Sequence, residues 1–161
     1  MPSRVVESPI GPLRLVATEQ ALVAIEFDAR PEPISPSHPI LDQAERELVE
    51  YFRGARRTFT VKLAPVGTAF QQRVWDALLA VPYGTVESYA AVARAIGSPA
   101  AVRAVGAANG RNPIPIIVPC HRIVGSNGDL VGYGGGMAKK QWLLGHEGGG
   151  LRRTLELFTP R

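Results

Sequence analysis

Cysteine is almost missing from this 161-residue sequence: Cys120 is the single one. No intramolecular disulfide can form, and no multi-cysteine zinc or iron–sulfur site fits within the chain. A lone thiol suits a reducing compartment, so a cytoplasmic location is expected. Lysine is scarce too, 3 against 15 arginines, a ratio in keeping with GC-rich bacterial coding. Long apolar runs are lacking: none approaches the ~20 residues of a membrane span, and no membrane partner is expected. The opening MPSRVVESPIG has no apolar stretch ahead of a small-residue cleavage site, so no secretory leader is expected.

What is there describes an ordinary globule. Apolar residues make up 45% and charged residues 20%, which excludes a disordered tail protein. The length suits one domain or two small ones. The charge is uneven. Residues 1–66 carry 8 Lys and Arg against 9 Asp and Glu, a net of −1, whereas residues 67–161 carry 10 against 5, a net of +5. A basic half suggests a polyanionic partner, most often nucleic acid; solubility is the plainer reading.

Three short β-branched runs, residues 3–8, 13–18 and 21–27, read as an antiparallel meander. A proline-dense loop follows over residues 30–39. Leu41, Ala44, Leu48, Tyr51 and Phe52 recur at helical spacing up to Gly54. Residues 58–63 alternate like one more strand, and residues 64–67 read as a linker. Thr68 then caps a helix whose apolar face is Phe70, Val74, Ala77, Leu78 and Val81. Ser88 caps a short helix that Gly97 ends. Ser98-Pro99 opens a third, over residues 99–109. Two short helices across a tight turn are the sequence form of a helix-turn-helix. Residues 114–118 read as a buried extended run, and residues 138–147 as a last helix. Ten of 17 glycines lie between Gly125 and Gly150, so residues 124–136 read as a shaped loop. His38 reads as a surface residue.

Four features could carry chemistry. The third helix presents Ala100, Arg103, Ala104 and Ala107 on one side. Small residues allow close approach to another surface, and an arginine suits phosphate or base contact; packing within the chain is the alternative. Cys120 lies beside His121 and Arg122, cations that would favour a thiolate. Neighbours on an extended chain point oppositely, so Cys–His contact would need a bend or a bridging water. An inert buried cysteine is the alternative. Glu147 stands at a helix C-terminus, where the macrodipole opposes it. His121 or His146 could hold it, unless it is merely solvated. Tyr89 sits on the apolar side of its helix, as core tyrosines commonly do.

These residues combine into a pattern. The stretch NPIPIIVPCHRI (112–123) resembles the active-site signature of the 6-O-alkylguanine-DNA alkyltransferases. The flanks are similar as well: FQQRVWDAL (70–78), PYGTVESYAAVA (82–93), AVRAVGAANGRNP (101–113), GYGGG (132–136) and KKQWLLGHEG (139–148). The resemblance covers residues 68–148; the first part of the chain matches only in length and strand pattern.

The resemblance implies a set of roles. Cys120 would be the nucleophile and alkyl acceptor. His121 would act through a water as the base, and Glu147 would orient it. Asn112 would brace the loop that carries the cysteine. Tyr89 would donate a proton to ring nitrogen 3 of a flipped base. Arg103 would fill the gap the base leaves, with Ala100, Ala104, Gly106 and Ala107 in the DNA-binding set. The carbonyls of Cys120 and Ile123 would accept the guanine amino group. Tyr133, Gly134 and Gly135, in a loop over residues 130–136, would line the alkyl pocket. Some members carry serine at Gly134; here only a backbone N–H is available. Some larger relatives bind zinc through Cys and His in the first domain; this one has only His38 there, so no metal and no cofactor are expected.

The expected fold is therefore α/β of the α+β kind. Residues 1–64 would form a small antiparallel sheet with a helix, ribonuclease H-like. Residues 65–161 would form a helical, winged helix-turn-helix-like DNA-binding and catalytic domain. The expected activity is irreversible, single-use transfer of the alkyl group from 6-O-alkylguanine, and less well 4-O-alkylthymine, in double-stranded DNA to Cys120. The base would be flipped out through the minor groove. The protein would be a monomer in solution, able to cluster on DNA. A non-catalytic binder of alkylated bases, or a Cys-His hydrolase, are the competing classes. Cys120 argues against the first. The second usually draws its histidine from a distant segment.

Overall fold

A computed structural model describes residues 1–125 and 133–148. The backbone divides into two compact units. The first comprises Met1–Val66 together with Pro113–Ile117; the second comprises Gly67–Asn112 and the chain from Val118 on. The sequence reading divided the chain after residue 64 and did not anticipate the return of Pro113–Ile117 to the first unit. The shaped loop expected over residues 124–136 lies in part outside the described residues.

In the first unit, β1 (Ser3–Val6), β2 (Leu13–Ala17) and β3 (Leu22–Glu26) form an antiparallel sheet in the order β1-β2-β3. Alternation sets its faces. Leu13, Leu15 and Ala17 are fully buried, while Arg14 points outward opposite Glu26 and pairs with it at 2.8 Å. Helix α1 (Pro39–Phe52) packs on the sheet through Leu41, Ala44, Leu48 and Tyr51. Its start corrects the reading of His38, whose ring nitrogen Nδ1 accepts from the backbone N–H of Ile40 and Leu41 as the N-cap. Arg4 ties the proline-rich loop to β1 and α1, donating to Ser35 Oγ (2.7 Å), Pro36 O (2.9 Å), Asp42 (2.7 Å) and Glu45 (3.0 Å).

One expected strand and one expected extended run are not formed. Residues 58–63 make only an isolated parallel bridge, Leu63 with Leu22. The cause is Glu47, which is buried and whose carboxylate accepts from the backbone N–H of Thr60 (2.9 Å) and Val61 (3.1 Å). Those donors are therefore withheld from a sheet ladder. Residues 114–118 are buried as expected, but they run as turns. Pro113 and Pro115 supply no N–H, and Ile116 adopts the left-handed region at φ +75°. Ile25 donates to Pro113 O at 2.9 Å within this unit.

The second unit begins with α2 (Ala69–Leu79), whose N-cap Thr68 forms a reciprocal capping box with Gln71. Trp75 is buried, and its Nε1 donates to Ala108 O at 2.9 Å. That bond fixes α2 against α4 (Val102–Gly110). A Cβ at Gly67 would collide with the Trp75 ring, so this close approach requires glycine. Short strand β4 (Glu87–Ser88) leads into α3 (Tyr89–Ala95), capped by Ser88 Oγ accepting from Ala91 N–H at 3.0 Å. Helices α3 and α4 pack together as the helix-turn-helix. The chain then passes through a single 3-10 turn, Cys120–Arg122, into β5 (Ile123–Val124), which pairs in parallel with β4. Helix α5 (Met137–His146) completes the unit.

The third helix starts later than its sequence signal. Ser98 and Pro99 lie in a turn closed by Ala101 N–H to Ser98 O at 2.9 Å, and α4 begins at Val102 with no side-chain cap. Ala100 is therefore in the turn ahead of α4, not on the helix. Ser98 instead closes the end of α3, its N–H donating to Ala93 O at 2.9 Å behind Gly97 at φ +76°.

Candidate active site

Cys120, His121 and Arg122 form the 3-10 turn between α4 and β5. Cys120 N–H donates to Val118 O at 2.8 Å and Arg122 N–H to Pro119 O at 3.0 Å. Asn112 Nδ2 donates to the same Val118 carbonyl at 2.8 Å. Asn109 Nδ2 reaches Cys120 O at 3.4 Å. Cys120 is 5% exposed and His121 fully buried.

Glu147, just past the end of α5, is the centre of the charge arrangement. Arg122 Nε donates to its Oε1 at 2.8 Å and Nη2 to its Oε2 at 3.0 Å, a bidentate fork. His121 Nε2 lies 2.8 Å from the same Oε2. Arg122 Nη1 donates to Val81 O at 2.7 Å. Burial pushes the Glu147 carboxyl up, but His121 and Arg122 outweigh it and hold the carboxyl well below the usual range. This is how a carboxylate persists at a helix end that disfavours it. Of the two histidines offered by the sequence, His121 is the partner. His146 instead stacks on Trp142.

A carboxylate can only accept, so Nε2 carries the proton and Nδ1 is left basic. Nδ1 is buried, with no protein hydrogen-bond partner among the described residues. Burial depresses the His121 pKa; Glu147 raises it, and Arg122 and Lys140 lower it further. The ring is thus neutral and able to take a proton.

The expectation that His121 and Arg122 act as cations on the thiol is corrected here. Arg122 is committed to Glu147, and His121 is neutral. Burial pushes the Cys120 thiol up to about 11, against the lowering effects of the Asn112 amide and the Lys140 charge. The thiol therefore rests protonated and needs a base to react.

Two phenols face the cysteine. Tyr89, the first residue of α3, is half-buried, not a core residue. Burial raises its pKa, a thiolate at Cys120 adds to the rise, and Asn109 opposes it. Gly106 lies over its ring: a Cβ there would stand 3.9 Å from Cδ1, an ordinary contact. Tyr133 is raised well above the ordinary value by burial and then by the charges of Cys120 and Glu147. Gly134 is exposed and Gly135 half-buried just ahead of α5. The rest of the expected pocket loop, residues 130–132, lies outside the described residues, as does the chain beyond Gly148. Ile123 is fully buried. Its N–H donates to Cys120 O, and its own carbonyl accepts from Lys140 Nζ at 2.6 Å.

Ala100, Arg103, Ala104 and Ala107 are all exposed and Gly106 half-exposed, while Val105, Ala108 and Asn109 are buried. The outer face of α4 is thus small-residued with one arginine. Val102, the first residue of the helix, is 37% exposed.

Lys140 and Asn109 escaped the sequence reading. Lys140 had a signal: it stands three, four and seven residues before Leu143, Leu144 and Glu147, on the face that α5 buries. Burial lowers its pKa to about 8, and a thiolate at Cys120 raises it.

Comparison with known proteins decides the family. Residues 69–149 match the family model described as 6-O-methylguanine DNA methyltransferase, DNA binding domain, and residues 1–65 match its ribonuclease-like domain. The chain belongs to the 6-O-methylguanine DNA methyltransferase family. Two curated relatives of this family are named methylated-DNA–protein-cysteine methyltransferase. One, from Methanosarcina acetivorans, is 47% identical over 88% of this chain and 95% of its own length. The other, from Mycobacterium leprae, is 45% identical over 96% and 97%. Among solved structures of the methyltransferase family, Mycobacterium tuberculosis OGT in complex with DNA is similar at a TM-score of 0.83. It is 46% identical, over 91% of this chain and 92% of that one. Among the described residues no helix is long and apolar enough to cross a membrane, and no group of three His, Cys, Asp or Glu is placed to hold a metal.

Proposed function

We propose that this protein repairs DNA by transferring the alkyl group of 6-O-alkylguanine, in double-stranded DNA, irreversibly to its own Cys120. One observation carries the reading: a buried thiol next in sequence to a neutral histidine whose Nε2–H is held by Glu147 and whose Nδ1 has no protein partner among the described residues. A proton acceptor held in one tautomer behind a protonated thiol is an arrangement for making a thiolate on demand.

His121 takes the thiol proton through one water, and Glu147 orients the ring and stabilises its charged form. The sulfur then attacks the alkyl carbon in line. The S–C bond forms as the C–O bond to the guanine breaks, and the electron pair goes to the purine. Tyr89 delivers a proton to ring nitrogen 3 of the departing base; a phenol with a raised pKa is still protonated when it is needed. Asn112 braces the loop through Val118 O. The carbonyls of Cys120 and Ile123 receive the guanine amino group, and Tyr133, Gly134 and Gly135 flank the alkyl group. The product is a thioether, which water does not readily cleave, so each molecule acts once.

The target carbon is hidden in a base stack, so the base must be extruded at a cost of a few kcal/mol. The small-residued face of α4 allows close approach to the minor groove. Arg103 enters the vacated position, flanked by Ala104, Gly106 and Ala107, with Ala100 in the preceding turn. The single cysteine, a thiol that a reducing compartment would keep free, supports a cytoplasmic location.

The test is the Cys120→Ser variant. It is expected to bind a duplex with one methylated guanine as the parent does, and to gain no mass from it. Methyl transfer by this variant would remove Cys120 from the reaction.

A further inference from the structure

The mechanism above gives no part to the amide of Asn109. This residue is 4% exposed, near the end of α4. Its Nδ2 donates to Cys120 O at 3.4 Å, and its Oδ1 is buried with no hydrogen-bond partner among the described residues. Buried acceptors are nearly always satisfied, so an orphan beside the nucleophile calls for an explanation. A helix that needed only packing at this position could carry leucine.

The backbone acceptors of the guanine amino group are already in use. A carbonyl oxygen has two lone pairs. Cys120 O receives Ile123 N–H and Asn109 Nδ2, and Ile123 O receives Lys140 Nζ at 2.6 Å. The 3.4 Å contact is long for an N–H···O bond and belongs to a side chain, so it is readily exchanged. An amino N–H arriving at Cys120 O replaces an amide N–H like for like, and the amide it displaces still carries its unpaired acceptor. The place along the base edge fits too. Ring nitrogen 3 and the carbon that bears the amino group are neighbours in guanine. In the proposed reaction Tyr89 serves the first and Cys120 O the second. Asn109 reaches Cys120 O and lies one turn beyond Gly106, which covers the Tyr89 ring.

We propose that Asn109 is a specificity residue for guanine, its Oδ1 accepting an N–H of the amino group that it shares with the Cys120 carbonyl in a three-centre bond. The proposal rests on the alkyl-transfer reading above. In the empty site the Asn109 amide N–H holds the place of the amino group on Cys120 O. In the filled site its oxygen reads that group. A flipped base without the amino group leaves the oxygen buried and unpaired, which is how a site built to bond a donor rejects an analogue that lacks it.

The test uses two duplexes, one with 6-O-methylguanine and one with 6-O-methylhypoxanthine, which lacks only the amino group. Single-turnover methyl transfer from each is measured in the parent and in Asn109→Leu, and the readout is the ratio of the two rates. A residue that merely packs α4 changes both rates by the same factor and leaves the ratio alone. The ratio is expected to fall about fivefold in Asn109→Leu, the size of one net hydrogen bond. A ratio equal to the parent's overturns the proposal. If Asn109→Leu does not fold, Asn109→Ala, which removes the amide without adding bulk, is measured in its place, and the same two outcomes decide. Absence of transfer from the methylguanine duplex in the parent would sink the repair reading and this proposal with it. Transfer with an unmoved ratio sinks this proposal alone.

Discussion

Among the described residues two glutamates are buried, one in each unit, and they do opposite things. Glu47 is 1% exposed and Glu147 is 3% exposed. Both carboxyls are pushed up by burial and brought below the usual range by their partners. The partners differ. Glu47 accepts from the N–H of Thr60 and Val61, from Thr60 Oγ1 at 2.6 Å and from Gln43 Nε2 at 3.0 Å. Every donor is neutral, and none can change its charge near neutral pH. Glu147 accepts from one fixed cation and one titratable ring. A buried carboxylate among backbone donors is a brace for a segment that forgoes a sheet. The same group between an arginine and a histidine fixes a tautomer and can answer a proton transfer. Burial alone does not mark a site; the chemistry of the donors does.

The largest separation between the two should come from Glu147→Gln against Glu47→Gln. Glu147→Gln leaves the Arg122 charge buried and uncompensated, so urea unfolding should show a loss of about 3–5 kcal/mol. Single-turnover methyl transfer, read on the molecules still folded, should slow by roughly a hundredfold or more. Glu47→Gln leaves buried donors imperfectly matched, at about 1–3 kcal/mol. Its transfer rate per folded molecule should equal that of the parent. Equal slowing in both variants would erase the distinction.

His121→Ala isolates the titratable partner. Transfer near neutral pH should slow by about 10²–10⁴-fold. The deficit should shrink as pH rises toward the Cys120 value of about 11, where the thiol ionises without help. A deficit that stays constant with pH would mean that His121 serves only packing.

Arg103→Ala should have a smaller effect, visible only with duplex substrate. Arg103 is exposed, so its loss should leave the fold intact. If it fills the gap left by the base, repair of a duplex lesion should slow by roughly ten- to a hundredfold, of the order of the unstacking cost. Dealkylation of the free base should be unchanged. Equal slowing of both would make Arg103 something other than a gap filler. Uniformly weaker binding to every duplex, with a shallower salt dependence, would make it a phosphate contact.

Stability against pH gives the mildest contrast. His121 has a lowered pKa in the fold, so below about 6.5 the unfolded chain takes up a proton that the buried ring refuses. Unfolded chains then bind more protons than folded ones, and stability falls as pH drops through that window. The Glu147 contribution is lost only at lower pH, below about 4.3, where the unfolded carboxyl protonates. In His121→Gln the upper step should vanish from the urea midpoints while the lower one remains. Persistence of the upper step would assign it elsewhere.

Much of this was legible in the residues. Alternation gave the meander, and the caps at Thr68 and Ser88 stand where their side chains predict. Cys120, His121 and Glu147, residues 120, 121 and 147 of the chain, do come together. What escaped depends on partners distant in sequence. Nothing in residues 58–63 announces that Glu47 will take their N–H groups. Nothing local to Ser98-Pro99 says that Ser98 closes the helix behind it and does not open the one ahead. The apolar run at residues 114–118 has strand composition, but its prolines and the left-handed Ile116 make it a turn. Lys140 is legible only through its spacing from Leu143 and Leu144, which puts it on the face that α5 buries.

The central claim is that Cys120 is a single-use acceptor, and peptide mapping by mass spectrometry tests it most directly. The protein is mixed with a large molar excess of duplex carrying methylated guanine, and the remaining lesions are counted in the same tube. The account predicts one methyl group per chain, on the peptide that contains Cys120, and as many lesions repaired as there are protein molecules. A methyl group on any other residue, or more lesions repaired than chains present, would contradict it.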